Sequence, residues 1–262
     1  MHDMPSSSMI QSYIINLEQD AARMSVIATR FQELGLAFER IDAVDGRQMP
    51  DVEFDNFARA RPLKNGGWGR GQAGCFLSHY QAWEKIAGGA DSYAAIFEDD
   101  LHIADAIATL FRTDAWLPEI FDIVRLETST NRLLLDTKAT RSIAGRAVFR
   151  LRSPSWCAGA YILNRDGARK LLSVPPARHN SVDHFLFSFE GTSVARELEI
   201  YQMVPALAIQ DKFTNKQNGT LGFRSNIEKH SFFDRLVLSL RRITPLVLYK
   251  TLKGFKRVPF QP

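Results

Sequence analysis

Cysteine is scarce in this chain, and long apolar runs are absent. The two cysteines among 262 residues, Cys75 and Cys157, are too few for a disulfide framework, so we expect a reduced, cytosolic protein. No apolar run reaches the length of a membrane-spanning helix. Residues 1–8 lack the basic start and the apolar core of a signal peptide. These absences exclude disulfide-scaffold and membrane-spanning proteins, and they predict a cytoplasmic location.

Acidic residues are scarce near the C-terminus. From Lys229 onward, eight basic residues face one acid, Asp234, whereas the net charge of the whole chain is only +4. Residues 232–262 also place apolar side chains at helical spacing, which predicts a basic amphipathic tail. Such a tail could bind an anionic membrane surface or nucleic acid. Alternatively, it packs on the body of the protein and leaves its basic face in solvent. We rank nucleic acid last, because no groove of interleaved aromatic and basic residues is indicated elsewhere.

The most informative stretch is a short apolar strand followed by three carboxylates. Residues 93–97 predict a strand that is buried on both faces, and Glu98, Asp99 and Asp100 follow it directly. In α/β sheets, ligands bind just beyond the carboxyl ends of the strands. Three adjacent acids repel one another, and a hard divalent cation that bridges nucleotide phosphates would offset this repulsion. A polar cap on the next helix explains the same residues, so at this point both interpretations stay open.

The N-terminal half predicts an α/β opening. Residues 12–17 and 38–41 predict strands on either side of a helix, a β-α-β unit typical of a parallel sheet. Residues 51–74, rich in Arg and Gly, predict an irregular loop. The helix expected next places Cys75 and His79 four residues apart. We reject a zinc site there, because no second ligand pair is present, and we favour a core position for His79.

Two further acids lie at the ends of predicted elements. The strand expected over 121–127 ends in Glu127, just as the preceding strand ends in Glu98. Ser181 predicts an N-cap for a helix over 182–189, which places Asp183 in its first turn, where an acid suits the helix dipole without any catalytic role. The remaining predicted elements are a helix over 104–111, strands over 147–151, 158–163 and 199–204, and a helix over 164–172.

Several of these segments recur together in one protein family. They are Ile15-Asn16-Leu17 with Arg23, Asp42-Ala43, 74–79 with Trp83, 97–100, 124–128, 159–162, Val182-Asp183, 205–207 with Gln210, and 258–261. In this order they resemble glycosyltransferase family 25, which includes bacterial lipooligosaccharide galactosyltransferases. The resemblance covers about residues 13–261. No single segment is decisive, but the ordered set is specific.

The resemblance implies an α/β fold of the GT-A type, a nucleotide-sugar-binding sandwich with a mixed, mostly parallel central sheet and a C-terminal basic helical tail. It implies a single catalytic domain over 1–231, with a donor half at about 10–130 and an acceptor half at about 131–231, followed by the tail. It also implies inversion at the anomeric carbon, a UDP-sugar donor, usually UDP-galactose, and a divalent cation, Mn²⁺ or Mg²⁺. By this resemblance, the three carboxylates correspond to a DxD-type metal motif. The resemblance therefore favours a metal site over a helix cap at these residues.

The resemblance also assigns roles to single residues. Glu98 and Asp100 are expected to bind the metal, with Asp100 as the direct ligand. Asp183 is the first choice for the general base that deprotonates the acceptor hydroxyl, ahead of Glu127 and then His184. The expected donor-site residues are Asn16, Leu17, Arg23, Asp42, Ser78, His79, Asp99 and Gln210.

The expected acceptor is a sugar on a lipooligosaccharide, an LPS core or another lipid-linked glycan. The basic tail would then hold the enzyme at the inner face of the cytoplasmic membrane. Residues 61–71 and 211–226 are expected to form the donor and acceptor loops. Three alternatives stay open: transfer from another UDP-sugar such as UDP-glucose, a metal-dependent phosphohydrolase, and a non-catalytic nucleotide- or membrane-binding module.

Overall fold

The structure, a computed structural model, describes residues 10–58, 69–174, 181–189, 194–214 and 255–262. Most of the predicted basic tail, from 232 to 254, lies outside the described residues. The same holds for parts of the two predicted loops, namely 61–68 and 215–226. The predictions that concern these segments therefore stay predictions.

The described residues form helices and strands that alternate along most of the chain. The helices are α1 (Ala21–Glu33), α2 (Asp51–Ala58), α3 (Arg70–Gly88), α4 (Ile107–Leu110), α5 (Arg165–Leu172) and α6 (Val182–Phe187). The strands are β1 (Ser12–Asn16), β2 (Glu39–Asp42), β3 (Tyr93–Glu98), β4 (Leu101–Ile103), β5 (Ile123–Arg125), β6 (Glu127–Thr128), β7 (Arg132–Leu134), β8 (Arg141–Ile143), β9 (Arg146–Arg150), β10 (Ala160–Asn164), β11 (Ile200–Val204), β12 (Ala208–Gln210) and β13 (Phe255–Arg257). Among these residues, no helix combines the length and the apolar character needed to cross a membrane.

Eight strands form one mixed sheet in the order β2-β1-β3-β10-β5-β11-β9-β8. The predicted β-α-β opening is confirmed, because β1 pairs in parallel with both β2 and β3. The α/β class and the mixed sheet are also confirmed. Six of the eight strands run in the same direction, as a mostly parallel sheet requires, and only β10 and β9 run against them. β10 is antiparallel to both of its neighbours, and β9 is antiparallel to β11 and β8.

Two short sheets extend this core. In one, β12 lies between β4 and β6; in the other, β13 at the C-terminus pairs with β7. The strand expected over 121–127 is thus two strands. Leu126 separates β5 in the large sheet from β6 in the small sheet, so Glu127 sits beside Ala208 at the start of β12. The break explains how one stretch of chain serves two sheets.

Helices cover both faces of the large sheet. Ala94 and Ile96 of β3 face a core cluster that includes Trp83 of α3, whereas the alternating Ala95 and Phe97 face a second cluster that includes Phe31 of α1. Burial on both faces explains why β3 is a continuous apolar run rather than an alternating one. The strand predicted before the three acids is confirmed.

Two further predicted elements differ from the structure. The segment over 51–74 is not irregular throughout, because α2 occupies Asp51–Ala58 and α3 begins at Arg70. Acids in the first turn of α2 favour the helix, and Phe54 and Phe57, three residues apart, pack partly on the core. The helix expected over 104–111 is shorter, since only Ile107–Leu110 is α-helical.

Candidate functional site

A cleft opens where β1 and β3 end, beside the first turns of α3. The two strands are parallel neighbours, so their carboxyl ends share one edge of the sheet, the place where α/β proteins bind ligands. Most predicted site residues line this cleft, namely Asn16, Leu17, Arg23, Ser78, His79, Glu98, Asp99, Asp100 and Gln210. Of the described residues, the predicted Asp42, Glu127 and Asp183 are not part of its lining.

Asp99 is held inside the wall of the cleft. Asn16 Nδ2 donates to its Oδ2 at 2.7 Å, and Arg23 Nη1 donates to its Oδ1 at 3.2 Å. Burial raises the pKa of Asp99, although the hydrogen bonds from Asn16 and the charge of Arg23 oppose the shift. Asp99 therefore connects the two other predicted donor-site residues, Asn16 and Arg23, in the wall of the cleft.

Asp100 lines the cleft and has a carboxylate oxygen without a hydrogen-bond partner among the described residues. This oxygen, Oδ1, is buried. Burial and the negative charge of Glu98 raise the pKa of Asp100 to about 7, with Lys212 opposing the shift. A bound cation would favour the ionised carboxylate here, because the charge of the ion reverses the effect of the neighbouring acids.

Glu98 is positioned from two sides. Gln210 Nε2 donates to Glu98 Oε2 at 2.6 Å, and His79 Nε2 lies 3.3 Å from Glu98 Oε1. Burial would raise the pKa of Glu98, but the hydrogen bond and charge of His79 and the charge of Lys212 hold it below its usual value. Glu98 thus presents an anionic carboxylate beside Asp100.

These residues fit a hard divalent cation. Within the described part of the chain, the buried Oδ1 of Asp100 and Oε1 of Gln210 lack hydrogen-bond partners, and Glu98 supplies an anionic carboxylate close by. Carboxylate and amide oxygens are the ligands that Mn²⁺ and Mg²⁺ prefer. Unsatisfied buried oxygens are costly, and coordination would satisfy them. Asp100, Glu98 and Gln210 are therefore the candidate ligands for such an ion.

Lys212 is a cleft residue that the motif analysis missed. It follows β12 and lines the cleft near the acids. Partial burial lowers the pKa of Lys212, but the negative charges around it, including those of Glu98 and Asp100, outweigh this effect and raise it. The predicted loop over 211–226 contained Lys212 without marking it. Its position just after Gln210, at the carboxyl end of a strand, is the sequence feature that could have identified Lys212 as a site residue.

Asp45 takes the place in the cleft that was expected for Asp42. Asp42 pairs with Arg40 outside the cleft, and its side chain is 86% exposed. Asp45, three residues later, lines the cleft and accepts hydrogen bonds from Gln19 and Arg47. Burial alone would raise the pKa of Asp45, but these hydrogen bonds outweigh it and lower the pKa to about 2. No described contact supports the predicted donor role of Asp42.

Ser78 and His79 connect the cleft to the core. The backbone N–H of Val44 donates to Ser78 Oγ at 2.9 Å, and Ser78 Oγ donates to Gly74 O at 2.7 Å. His79 is fully buried, as expected for a core residue, yet it also contacts Glu98 at the cleft. Both residues therefore attach cleft elements to α3.

Glu127, the second candidate for the base, lies beneath the cleft. It is fully buried, and Oε1 accepts a hydrogen bond of 2.6 Å from the N–H of Gly159. Burial is the main cause that raises its pKa to about 8, with Glu98 adding to the shift and Arg125 opposing it. A fully buried carboxylate cannot contact an acceptor hydroxyl in this conformation.

Asp183, the first candidate for the base, lies beyond the cleft lining on α6. Its carboxylate accepts hydrogen bonds from the N–H groups of Cys157 and His184 and from Ser181 Oγ. Ser181 occupies the predicted N-cap position of α6. The charge of Asp183 acts on Cys75 in the cleft wall, so Asp183 is near the site. It is half-buried and oriented by its three donors.

Comparisons with known proteins agree on one family. The family profile described as "Glycosyltransferase family 25 (LPS biosynthesis protein)" matches residues 9–186. The chain is 30% identical to the lacto-N-neotetraose biosynthesis glycosyltransferase LgtB of Neisseria meningitidis over 92% of this chain and 90% of that protein. It is 30% identical to LgtE of Neisseria gonorrhoeae over 84% and 81% of the two chains, respectively.

A more distant relative belongs to the same group. The lipooligosaccharide biosynthesis protein lic2B of Haemophilus influenzae is 25% identical over 76% of each chain. The profile match runs from the residues before β1 to α6 and so includes the three acids of the cleft. The chain belongs to glycosyltransferase family 25.

Proposed function

We propose that this glycosyltransferase moves a hexose, galactose from UDP-galactose, to a sugar hydroxyl of a lipooligosaccharide or LPS core acceptor, with inversion at the anomeric carbon. The names of the bacterial relatives LgtB, LgtE and lic2B support a glycan acceptor of this class. One observation carries the proposal. Asp100, beside Glu98 at the ligand-binding edge of the sheet, has a buried Oδ1 without a hydrogen-bond partner among the described residues. UDP-glucose is the alternative donor.

The proposed cofactor is Mn²⁺ or Mg²⁺, held by Asp100 and Glu98. When bound, such an ion neutralises the charge that develops on the leaving diphosphate. Gln210 orients Glu98 through its amide N–H, and its free Oε1 is a further candidate ligand. Lys212 adds a positive charge to the cleft lining near Glu98 and Asp100, where it would contact the same diphosphate.

The proposed general base is Asp183. In the transfer step, the acceptor oxygen bonds to the anomeric carbon, the bond from that carbon to the diphosphate breaks, and the acceptor proton passes to the base. The backbone N–H groups of Cys157 and His184 hold the carboxylate of Asp183 in a fixed orientation. We favour Asp183 over Glu127, because Glu127 is fully buried beneath the cleft.

A thermal-shift panel tests the donor and the ion. UDP, UDP-galactose, UDP-glucose and UDP-N-acetylglucosamine are each measured with Mn²⁺ and with EDTA. A ligand at about 100 times its Kd stabilises the native state by about 2.7 kcal/mol. We expect UDP and UDP-galactose to raise the unfolding midpoint only with Mn²⁺. Equal shifts with EDTA would contradict the proposed ion site.

Substitutions test the residues. Asp100→Asn should lower transfer by at least about 100-fold, since the charge stabilisation lost is several kcal/mol. Asp166→Asn, at an exposed acid on α5, is the matched control and should retain activity. Asp183→Asn should lower kcat while leaving the Mn²⁺-dependent shift with UDP intact. Full transfer by Asp100→Asn, or release of UMP or sugar phosphate without acceptor, would refute the proposal.

We also propose that the basic segment binds an anionic membrane surface, each cation contributing about 1 kcal/mol near such a surface. Deleting the whole tail would also remove β13, which pairs with β7. The sharper test replaces five basic residues with Gln and keeps 255–262, namely Arg235, Arg241, Arg242, Lys250 and Lys253. Binding to phosphatidylserine vesicles should fall while Mn²⁺-dependent UDP binding persists. Unchanged vesicle binding would exclude this role.

A further inference from the structure

Three potential ligands of different chemistry meet on one wall of the cleft. Cys75 and His79 lie one turn apart on α3, and Glu98 ends β3 next to them. The thiol sulfur, a ring nitrogen and a carboxylate oxygen all lie within 4.8 Å of one another. The sequence alone indicates only Cys75 and His79, without a second ligand pair, and for that reason it does not support a zinc site. The fold adds the third from a strand 19 residues further along the chain.

The distances fit a tetrahedral zinc site. His79 Nε2 lies 3.3 Å from Glu98 Oε1, and Cys75 Sγ lies 3.8 Å from the same oxygen. Zinc bonds of about 2.0–2.3 Å in a tetrahedral arrangement place neighbouring ligand atoms ~3.3–3.7 Å apart. Both distances are therefore close to the edges of that tetrahedron. The third distance, from Cys75 Sγ to a ring nitrogen of His79, is within 4.8 Å, so these two side chains would move toward each other to close the site around an ion.

Buried groups orient the imidazole toward this site. Tyr161 Oη lies 2.8 Å from His79 Nδ1, and Trp83 Nε1 donates to the same oxygen at 2.8 Å. These three side chains are fully buried. A partner on one ring nitrogen is what directs the other toward a metal in known metal sites. His79 Nε2 consequently faces Glu98 and the cleft rather than the core.

The surrounding charge also favours a cation. Glu98, Asp100 and Asp183 all place negative charge near Cys75. Cys75 and His79 both line the cleft, so an ion can enter without unfolding the wall. Three protein ligands with one side open to a cleft is the pattern of a zinc site that keeps a position for water or a ligand.

We propose that Cys75, His79 and Glu98 bind a divalent cation of the zinc class through sulfur, nitrogen and oxygen, with a fourth position open to the cleft. Binding releases to solvent the thiol proton of Cys75 and any proton on His79 Nε2, because metal ligands are deprotonated. This site differs in its donor atoms from the hard-cation site at Asp100, but the two share Glu98. A soft ion therefore competes with Mn²⁺ for that carboxylate. The inference does not rest on the proposed function, because the binding can be measured without donor or acceptor.

Co²⁺ is the probe, since a cobalt–thiolate bond gives a near-ultraviolet charge-transfer band that oxygen ligands do not give. The full chain, reduced and freed of metal, should develop this band on titration with Co²⁺ and lose it on addition of Zn²⁺. Cys75→Ser should abolish the band. Cys157→Ser, which replaces the other cysteine, should keep it. Absence of the band in the wild-type protein, or its persistence in Cys75→Ser, would overturn the site.

Protection of the thiol in the wild-type protein gives a second measurement that needs no variant. At free Zn²⁺ about ten times its Kd, alkylation of Cys75 should slow about tenfold, whereas alkylation of Cys157 should be unchanged. Peptide mass spectrometry reports the two cysteines separately. Equal rates at Cys75 with and without Zn²⁺ would refute the inference.

The test of the zinc-class site can fail or succeed independently of the test of the proposed function. Loss of the cobalt–thiolate band in Cys75→Ser, together with a retained Mn²⁺-dependent thermal shift with UDP, would show two separable ion sites. If no UDP-sugar binds under any condition but the band and the protection are present, the proposed function fails while the zinc-class site stands.

Discussion

At the level of single residues, the three acids that follow β3 have three different environments. Asp99 is tied to Asn16 and Arg23, Glu98 is held by Gln210 and His79, and Asp100 has an oxygen without a partner in the described chain. Repulsion among adjacent acids left a cation and a helix cap both open, and it could not distinguish the roles of the three acids. The distinction depends on partners that are distant in sequence.

Lys212 is expected to act on the leaving diphosphate. Lys212→Met should lower kcat/KM roughly 100-fold, as expected for the loss of one preorganised positive group, and Lys212→Arg should recover part of it. The control is Lys256→Met, because Lys256 is exposed and lies over the Phe149 ring. Steady-state transfer with isothermal titration of UDP separates binding from catalysis. Equal activity of Lys212→Met and the control would exclude the role.

Glu127 should make stability fall as pH rises. Its pKa is about 8 in the folded chain, against the ordinary value of 4.5 for a glutamate side chain, so the folded state binds the extra proton between these values. Protonated Glu127 therefore contributes up to ~5 kcal/mol to the free energy of unfolding. This contribution is complete below about pH 4.5 and is lost as pH rises through 8.

Glu127→Gln removes this titration and keeps the shape of the side chain. We expect its unfolding free energy, measured in urea from pH 5 to 9, to vary less than that of the wild-type protein. The difference should appear as a relative gain at pH 9. Parallel curves for the two proteins would show that Glu127 is ionised in the folded state.

At the level of elements, local pattern predicted the strands and helices that are long and periodic. Helix α2 was missed because the Arg- and Gly-rich residues that follow it dominated the composition of the segment. The break at Leu126 could not be predicted, because no Gly, Pro or Asn interrupts 121–127 and only the pairing of β6 with β12 divides it. The antiparallel placement of β10 likewise depends on its neighbours, β3 and β5.

Helix α3 and the loop after β2 touch backbone to backbone, which predicts a contrast between two glycines. A Cβ added at Gly74 would lie 2.4 Å from Val44 O and 2.6 Å from Gly46 N. Gly74→Ala should therefore destabilise the fold by about 1–3 kcal/mol and weaken UDP binding, because the loop that carries Asp45 must move.

Gly88→Ala, in the same helix, is the matched control. An added Cβ there meets nothing within 4 Å, so the substitution should stabilise the protein by about 0.5–1 kcal/mol through helix propensity. Denaturant unfolding measures both variants. Similar effects of the two substitutions would show that the contact between α3 and the loop is not tight.

At the level of the whole molecule, one sheet contains strands from both predicted halves of the catalytic domain. β10, from the predicted acceptor half, lies between β3 and β5 of the donor half. The last residues also belong to the body rather than to a separate tail. Thr128 Oγ1 donates to Val258 O at 2.7 Å, and Ala206 N donates to Pro259 O at 2.8 Å. The C-terminus therefore supports the strands that carry Glu127 and Gln210.

Ending the chain at residue 254 should consequently destabilise the body. The deletion removes these hydrogen bonds, at about 1 kcal/mol each, and the burial of Val258, worth ~1.5–3 kcal/mol. We expect a loss of about 3–5 kcal/mol and a fall of the unfolding midpoint on the order of 10 °C. Binding of UDP with Mn²⁺ should weaken as well, since β12 leads into Gln210 and Lys212.

A pair of arginines tests the same contact without deletion. Arg146 is buried and donates to the carbonyl oxygens of Pro205, Ala206 and Gln261, whereas Arg132 donates to Phe255 O at the surface. Arg146→Met should reproduce most of the destabilisation, because it leaves three carbonyls without this donor. Arg132→Met should have a small effect. If the truncated chain and Arg146→Met both melt like the wild-type protein, the C-terminal segment does not stabilise the strands beneath the cleft.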